Sequence, residues 1–244
     1  MDNRDKAIVI GLYLSKFDKD GLRELGFSTF QEAFNILGFS TESNPSSIKN
    51  YRDEFDPLFP NNRKGWHKRD IRDYCKVFYT KYNALSFYQF SDLIKSLFIK
   101  NYEVEKFIDK IEKKDYSESI AKRLLTGRAA EEYFKLKYKK IDLFKSYNIA
   151  DTTQMACGFD YKLSLNSNFY CVEVKGLNEE KGSIQLTQKE FEMAKKITTN
   201  YCLFIVKNFR EKPTHEFIFD PLNSQLTFKE IKREILQTSY LTNI

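Results

Sequence analysis

Two stretches of the 244-residue chain carry side chains that can do chemistry together: Gly158-Phe159-Asp160-Tyr161 and Cys171-Val172-Glu173-Val174-Lys175-Gly176. Alternation along a strand puts Glu173 and Lys175 on one face. With Asn166-Ser167-Asn168 as the turn of a hairpin centred on Ser167, residue 160 faces residue 174, and Asp160 lies beside Glu173. Two carboxylates and the main-chain carbonyl of Val174 then make an oxygen donor set suited to Mg²⁺, with Mn²⁺ able to substitute, leaving places for water and a phosphate oxygen. Such an ion lowers the pKa of its bound water, while Lys175 orients that water and stabilises charge on the phosphate. That is a phosphodiester hydrolysis kit. The same Val-Glu-Val-Lys also describes an edge strand with a polar solvent face, and this alternative stays open at the level of sequence.

Composition narrows the chemistry further. There are two His (His67 and His215) and four Cys with no C-x-x-C pair, which argues against zinc and leaves carboxylate-held hard cations. Forty Lys+Arg against 34 Asp+Glu give a net charge of +6, a value compatible with nucleic acid but not diagnostic of it. Residues 121–140 are more telling: seven Lys/Arg against two Glu, a local excess of +5. A solvated helix face is the competing explanation. The apolar stretch Ala7–Leu14 is short for a signal peptide, and no run approaches a membrane span, so a cytoplasmic, prokaryotic protein with no membrane contact is expected.

The elements that must position these residues follow from patterning. Residues 4 to about 100 are predicted as short helices, with a turn at Asp18-Lys19-Asp20-Gly21, a helix around Phe30–Leu37 closed by Gly38, another over 47–55, and a further one from about Lys68 to Tyr79. Residues 101–120 are highly charged and predict a connector, dividing the chain into 1–115 and 116–244. Beyond it the pattern predicts a long helix over 117–140, strands at 158–165, 169–175, 183–186, 201–206 and 216–219, a helix started by the Thr187-Gln188-Lys189-Glu190 capping box, and a last helix over Phe228–Leu236. The expected class is α+β: an N-terminal all-α DNA-recognition domain, then an α/β core with a mixed sheet flanked by helices.

The order α-β-β-β-α-β, with Asp160 and Glu173-x-Lys175, resembles the PD-(D/E)XK nuclease superfamily, the restriction-endonuclease-like fold. It is most similar to the branch related to the C-terminal domain of the NO VEIN protein. That branch pairs a helix bearing Gly-x-x-Ala-Glu with a later Glu-Val-Lys-Gly and a Leu-Thr-x-x-Glu helix start. Here these are Gly127 to Glu131, Glu173 to Gly176 and Leu186 to Glu190, within residues 117–210. The common Pro before the first Asp is replaced by Phe159. The resemblance implies metal binding by Asp160, Glu173 and the Val174 carbonyl, water activation by Lys175, and an additional acidic residue, Glu131, from the helix. A helical wheel alone leaves Glu132 as its competitor. Gln185 is a candidate for placing water or phosphate.

The N-terminal part looks like the all-α domain ahead of some prokaryotic restriction nucleases, on residues 47–56 and 63–66. A short helix-turn-helix presenting Lys49, Asn50 and Arg52, followed by the basic loop Arg63-Lys64, suits a major groove. Residues 41–80 carry eight Lys/Arg against six Asp/Glu, which also describes an ordinary solvated face. Arg128 and Lys189 are further candidates for backbone phosphate. The expected function is a Mg²⁺-dependent, sequence-specific double-stranded DNA endonuclease of the Type II restriction kind, acting as a homodimer or larger symmetric assembly beside a cognate DNA methyltransferase. A repair or modification-dependent defence nuclease, or a non-catalytic DNA-binding protein on a nuclease fold, are the alternatives.

Overall fold

Capping and apolar spacing build the first half of the chain. In the computed structural model, which describes residues 1–63, 65–66, 69–98 and 114–232, five helices come first. α1 (Asn3–Glu24) starts where the Asp2 side chain accepts the Asp5 N–H at 2.7 Å, and it buries Ile8, Leu12 and Leu14. The turn expected at residues 18–21 is a kink inside α1, with Asp18 at φ +46°. α2 (Phe30–Ser40) is capped by Thr29. α3 (Pro45–Phe55) begins earlier than the expected Ser47, because Asn44 accepts the Ser46 N–H at 3.1 Å and Pro45 has its φ preset. α4 (Asp73–Tyr82) and α5 (Phe87–Ser96) follow, α5 behind a Ser86/Gln89 capping box.

The second half is a five-stranded mixed sheet with a helix on each side. α6 (Lys114–Lys137) leads into β1 (Asn148–Asp151), β2 (Tyr161–Leu165) and β3 (Asn168–Gly176); α7 (Gln188–Ile197) then leads into β4 (Tyr201–Lys207) and β5 (Thr214–Phe219). The sheet order is β1-β2-β3-β4-β5, antiparallel except for the β3–β4 pair, which α7 connects in parallel. Val172, Val174, Phe204 and Val206 face α6 and join the main core with Ala129, Ala130 and Phe134. Cys171 and Tyr201 face the other way, onto Ala194 and Met193 of α7. The class is α+β.

Two expectations need correction. Residues 183–186 form no strand; β2 and β4 already occupy both edges of β3. The third strand is instead β1, upstream of the hairpin. Residues 228–232 carry no helix, and the remainder of the helix expected over Phe228–Leu236 lies outside the described residues. So does most of the expected connector around 101–120. Among the described residues, no helix is long and apolar enough to cross a membrane.

The helical half is joined to the sheet half through α2 and α6. The Asn35 amide donates to the carbonyls of Phe209 and Glu211, both at 2.8 Å, and Ser40 donates to the Leu125 carbonyl. Lys122 lies 2.5 Å from the buried Glu32. Phe39 sets its ring edge-on to Tyr133 and Phe209, so one apolar core runs across the joint.

Candidate active site

The β2–β3 hairpin sets the geometry. Asn166 and Ser167 form a two-residue loop with Asn166 at φ +52°, which pairs Leu165 with Asn168 and Tyr161 with Val172. This is one residue off the register centred on Ser167. It places Asp160, just before β2, next to Glu173 rather than opposite residue 174. The Asp160 N–H donates to the Val172 carbonyl at 2.9 Å, and its carboxylate accepts the Val174 N–H at 2.8 Å. An extended residue turns its N–H and C=O to the same edge, so the Val174 carbonyl faces the Asp160 side as well.

Glu173 and Lys175 share the face toward α7, and β3 is a central strand. The Glu173 side chain is 4% exposed, which excludes the solvated edge-strand alternative. Lys175 Nζ lies 2.6 Å from Glu173 and donates to Glu190 at 2.7 Å. Burial, followed by the charge of Asp160, holds Glu173 well above the usual carboxylate range. Burial raises Asp160 too, against the opposing Val174 N–H and Lys175. Burial works against the Lys175 ammonium, but Glu173 and Glu190 outweigh it and hold it above the ordinary lysine value. From α6, Glu131 has Asp160 as its leading charged neighbour; burial and that charge push it up to about 8. Its competitor Glu132 turns to Lys135, at 3.6 Å.

Two glycines allow these elements to close in. A Cβ on Gly176 would sit 2.7 Å from the Thr126 carbonyl and 3.2 Å from Ala130 Cβ, so its absence lets α6 lie against β3 beside Lys175. Gly158, at φ +91°, would place a Cβ 2.8 Å from the Lys189 carbonyl, so it seats the Asp160 loop on the first turn of α7. Tyr201 donates to the Gly158 carbonyl at 3.0 Å, and Tyr161 to the Glu131 carbonyl at 3.2 Å. Both faces of the sheet are thereby tied to the same corner.

Residues 128–218 match the family model described as Protein NO VEIN, C-terminal. That domain is linked to the PD-(D/E)XK nuclease-like superfamily. No curated protein and no solved structure matches the chain. The NO VEIN-like segment runs from α6 to β5 and contains Glu131, Asp160, Glu173, Lys175 and Glu190, while the five N-terminal helices lie outside it.

The donor set at this corner of the NO VEIN-like segment is hard: two carboxylates raised by burial first and by neighbouring carboxylates second, and one carbonyl. A cation relieves that repulsion, so the residues fit Mg²⁺. Among the described residues no three His, Cys, Asp or Glu side chains make a ready cage. An ion held by Asp160, Glu173 and the Val174 carbonyl would therefore keep several waters, as Mg²⁺ does.

The other expected residues are distributed differently. Arg52 and Arg63 are held by partners within the helical half. Arg52 is 8% exposed, bonded to Asp53 at 2.6 Å and set against the rings of Phe30 and Phe34. Arg63 binds Asp56 at 2.8 and 2.9 Å, and also Asp18. Both guanidinium groups are engaged by carboxylates of the helical half. Lys49 is paired with Asp53 at 2.7 Å on an exposed face, beside exposed Asn50. Lys64 lies outside the described residues. Arg128 is half-buried and donates to the Phe98 carbonyl. Lys189 is exposed on the first turn of α7, and Gln185 is exposed on the loop leading into that helix. The sequence favours a capping role for Glu190 over a ligand role; its contact with Lys175 depends on how α7 docks, which the Thr-x-x-Glu spacing does not encode.

Proposed function

We propose that this chain is a Mg²⁺-dependent, sequence-specific endonuclease of double-stranded DNA, of the Type II restriction kind. What carries the reading is the meeting of Asp160, Glu173 and Lys175 at the open end of the β2–β3 hairpin, with Lys175 Nζ 2.6 Å from Glu173. The match of residues 128–218 to a domain linked with nuclease-like proteins supports it.

Asp160, Glu173 and the Val174 carbonyl would hold the ion, which supplies Lewis acidity and an activated water when bound. Lys175 orients the attacking water and offsets charge on the phosphate oxygens. Glu131 adds a carboxylate from the α6 side. Exposed Lys135, Lys139, Lys140 and Lys189 supply sequence-independent attraction for the DNA backbone. The helices within residues 1–115 are the part left to read sequence, through exposed groups such as Asn50. One site cuts one strand, so cleavage of both strands calls for a symmetric dimer.

The test uses the full chain with supercoiled plasmid and Mg²⁺, or Mn²⁺ in its place. Wild-type protein cuts, EDTA stops it, and Glu173→Ala and Lys175→Ala each lower the rate by about 10²-fold or more without loss of fold. Cleavage confined to branched or methylated DNA would move the reading to a repair or modification-dependent nuclease. Wild-type protein inert on plain, branched and modified DNA alike overturns it.

A further inference from the structure

Lys175 has two carboxyl partners, and they differ in what else they do. Glu173, at 2.6 Å, is also a proposed metal ligand, so its charge is shared once an ion is present. Glu190, at 2.7 Å, stands on α7, and its Oε2 also accepts the Thr187 N–H at 2.9 Å. That second bond is half of the capping box; the Thr187 hydroxyl accepts the Glu190 N–H in return at 3.3 Å. The carboxylate is thus fixed by the start of the helix, and the Glu190 side chain is 15% exposed. A charged bond held in place from its own backbone is a stiff anchor for a long, flexible ammonium.

We propose that Glu190 is the positioning residue for Lys175, holding its ammonium at the site independently of Glu173. This rests on the nuclease reading and adds a residue to it. Oε2 serves both the Thr187 N–H and Lys175, so the two functions are separated by removing either the charge or the hydroxyl half of the box. Glu190→Gln keeps a carbonyl oxygen for the Thr187 N–H but removes the anion facing Lys175. Thr187→Ala keeps the anion and the Thr187 N–H but removes the hydroxyl half of the box.

The experiment compares both variants with the wild-type chain in thermal unfolding, DNA affinity in Ca²⁺, single-turnover cleavage in Mg²⁺, and the rate at which an acetylating reagent modifies Lys175, read by mass spectrometry. For Glu190→Gln the expected result is a Tm and DNA affinity near wild type, cleavage slower by about 10- to 100-fold, and faster acetylation of Lys175. For Thr187→Ala the Tm falls while cleavage and acetylation stay near wild type. Wild-type cleavage by Glu190→Gln, or equal loss of cleavage in both variants, overturns the proposal. If the wild-type chain cuts no DNA the nuclease reading fails, and acetylation of Lys175 still decides whether Glu190 holds it: unchanged labelling in Glu190→Gln overturns that too.

Discussion

Glu131 shows what a crowded carboxylate does to the protein that carries it. In an unfolded chain its carboxyl titrates near the ordinary value of about 4.3. In the fold, burial and Asp160 push it up to about 8. Between these values the native state binds the proton that the unfolded state has released, so folding stability falls as pH rises through that window. Glutamine at this position removes the dependence. In EDTA, Glu131→Gln is therefore expected to melt together with wild type near pH 4 and clearly above it at pH 8, with a difference at pH 7 of at most about 3.6 kcal/mol. Thermal melts across this range check it; coincident curves at pH 8 would show that the carboxyl is not strained. A residue whose removal stabilises the fold is one that function, not folding, accounts for.

Elements bring the site together, and two glycines of α6 and β3 make the point by contrast. Gly176 has the Thr126 carbonyl and Ala130 in the space a side chain would need, whereas a Cβ on Gly127 would meet nothing within 4 Å. Gly176→Val is expected to lose about 1–3 kcal/mol, because α6 must shift away from β3. Gly127→Ala should be neutral or gain up to about 1 kcal/mol, since a glycine inside a helix has more backbone freedom to lose. Denaturant melts of both variants check the pair, and equal losses would mean that α6 is not seated on Gly176. The hairpin was legible in the sequence because Asn166 and Ser167 carry turn chemistry and period-2 alternation fixes which residues share a face. Its register was off by one residue, since turn length sets register and the residues alone did not fix the length. β1 was not legible: four mostly exposed residues, Asn148–Asp151, show no alternation and exist as a strand through pairing with β2. Residues 183–186 erred the other way, with alternating exposure but no strand edge left to join. Arg52 and Arg63 could not be separated from a DNA-facing surface by counting charges, because their partners Asp18, Asp56 and Phe30 are brought to them by the fold.

Among the described residues the main core spans both halves, with a smaller cluster under α7, and the joint between the halves decides how the chain unfolds. Glu32 is buried at 0% exposure on α2 and has its charge met by Lys122 of α6, the same helix that carries Thr126 and Glu131. Glu32 also accepts the Ser28 N–H at 2.7 Å, so its carboxylate is fixed from its own helix start. Replacing Lys122 by Met leaves that anion buried without a counter-charge, a change that costs about 3 kcal/mol, toward the low end for buried pairs because Lys122 keeps some solvent contact. Glu32→Gln added to Lys122→Met removes the unpaired charge and should restore most of the loss. With Asn35, Phe39 and Phe209 also spanning the joint, the full chain is expected to unfold in a single transition, with near- and far-ultraviolet circular dichroism coinciding. Two separate transitions in the wild-type chain would mean that the helical half stands alone and that the joint carries little of the stability. A single transition that moves down in Lys122→Met and back up in the double variant would tie the helices outside the NO VEIN-like segment to the helix that holds Glu131.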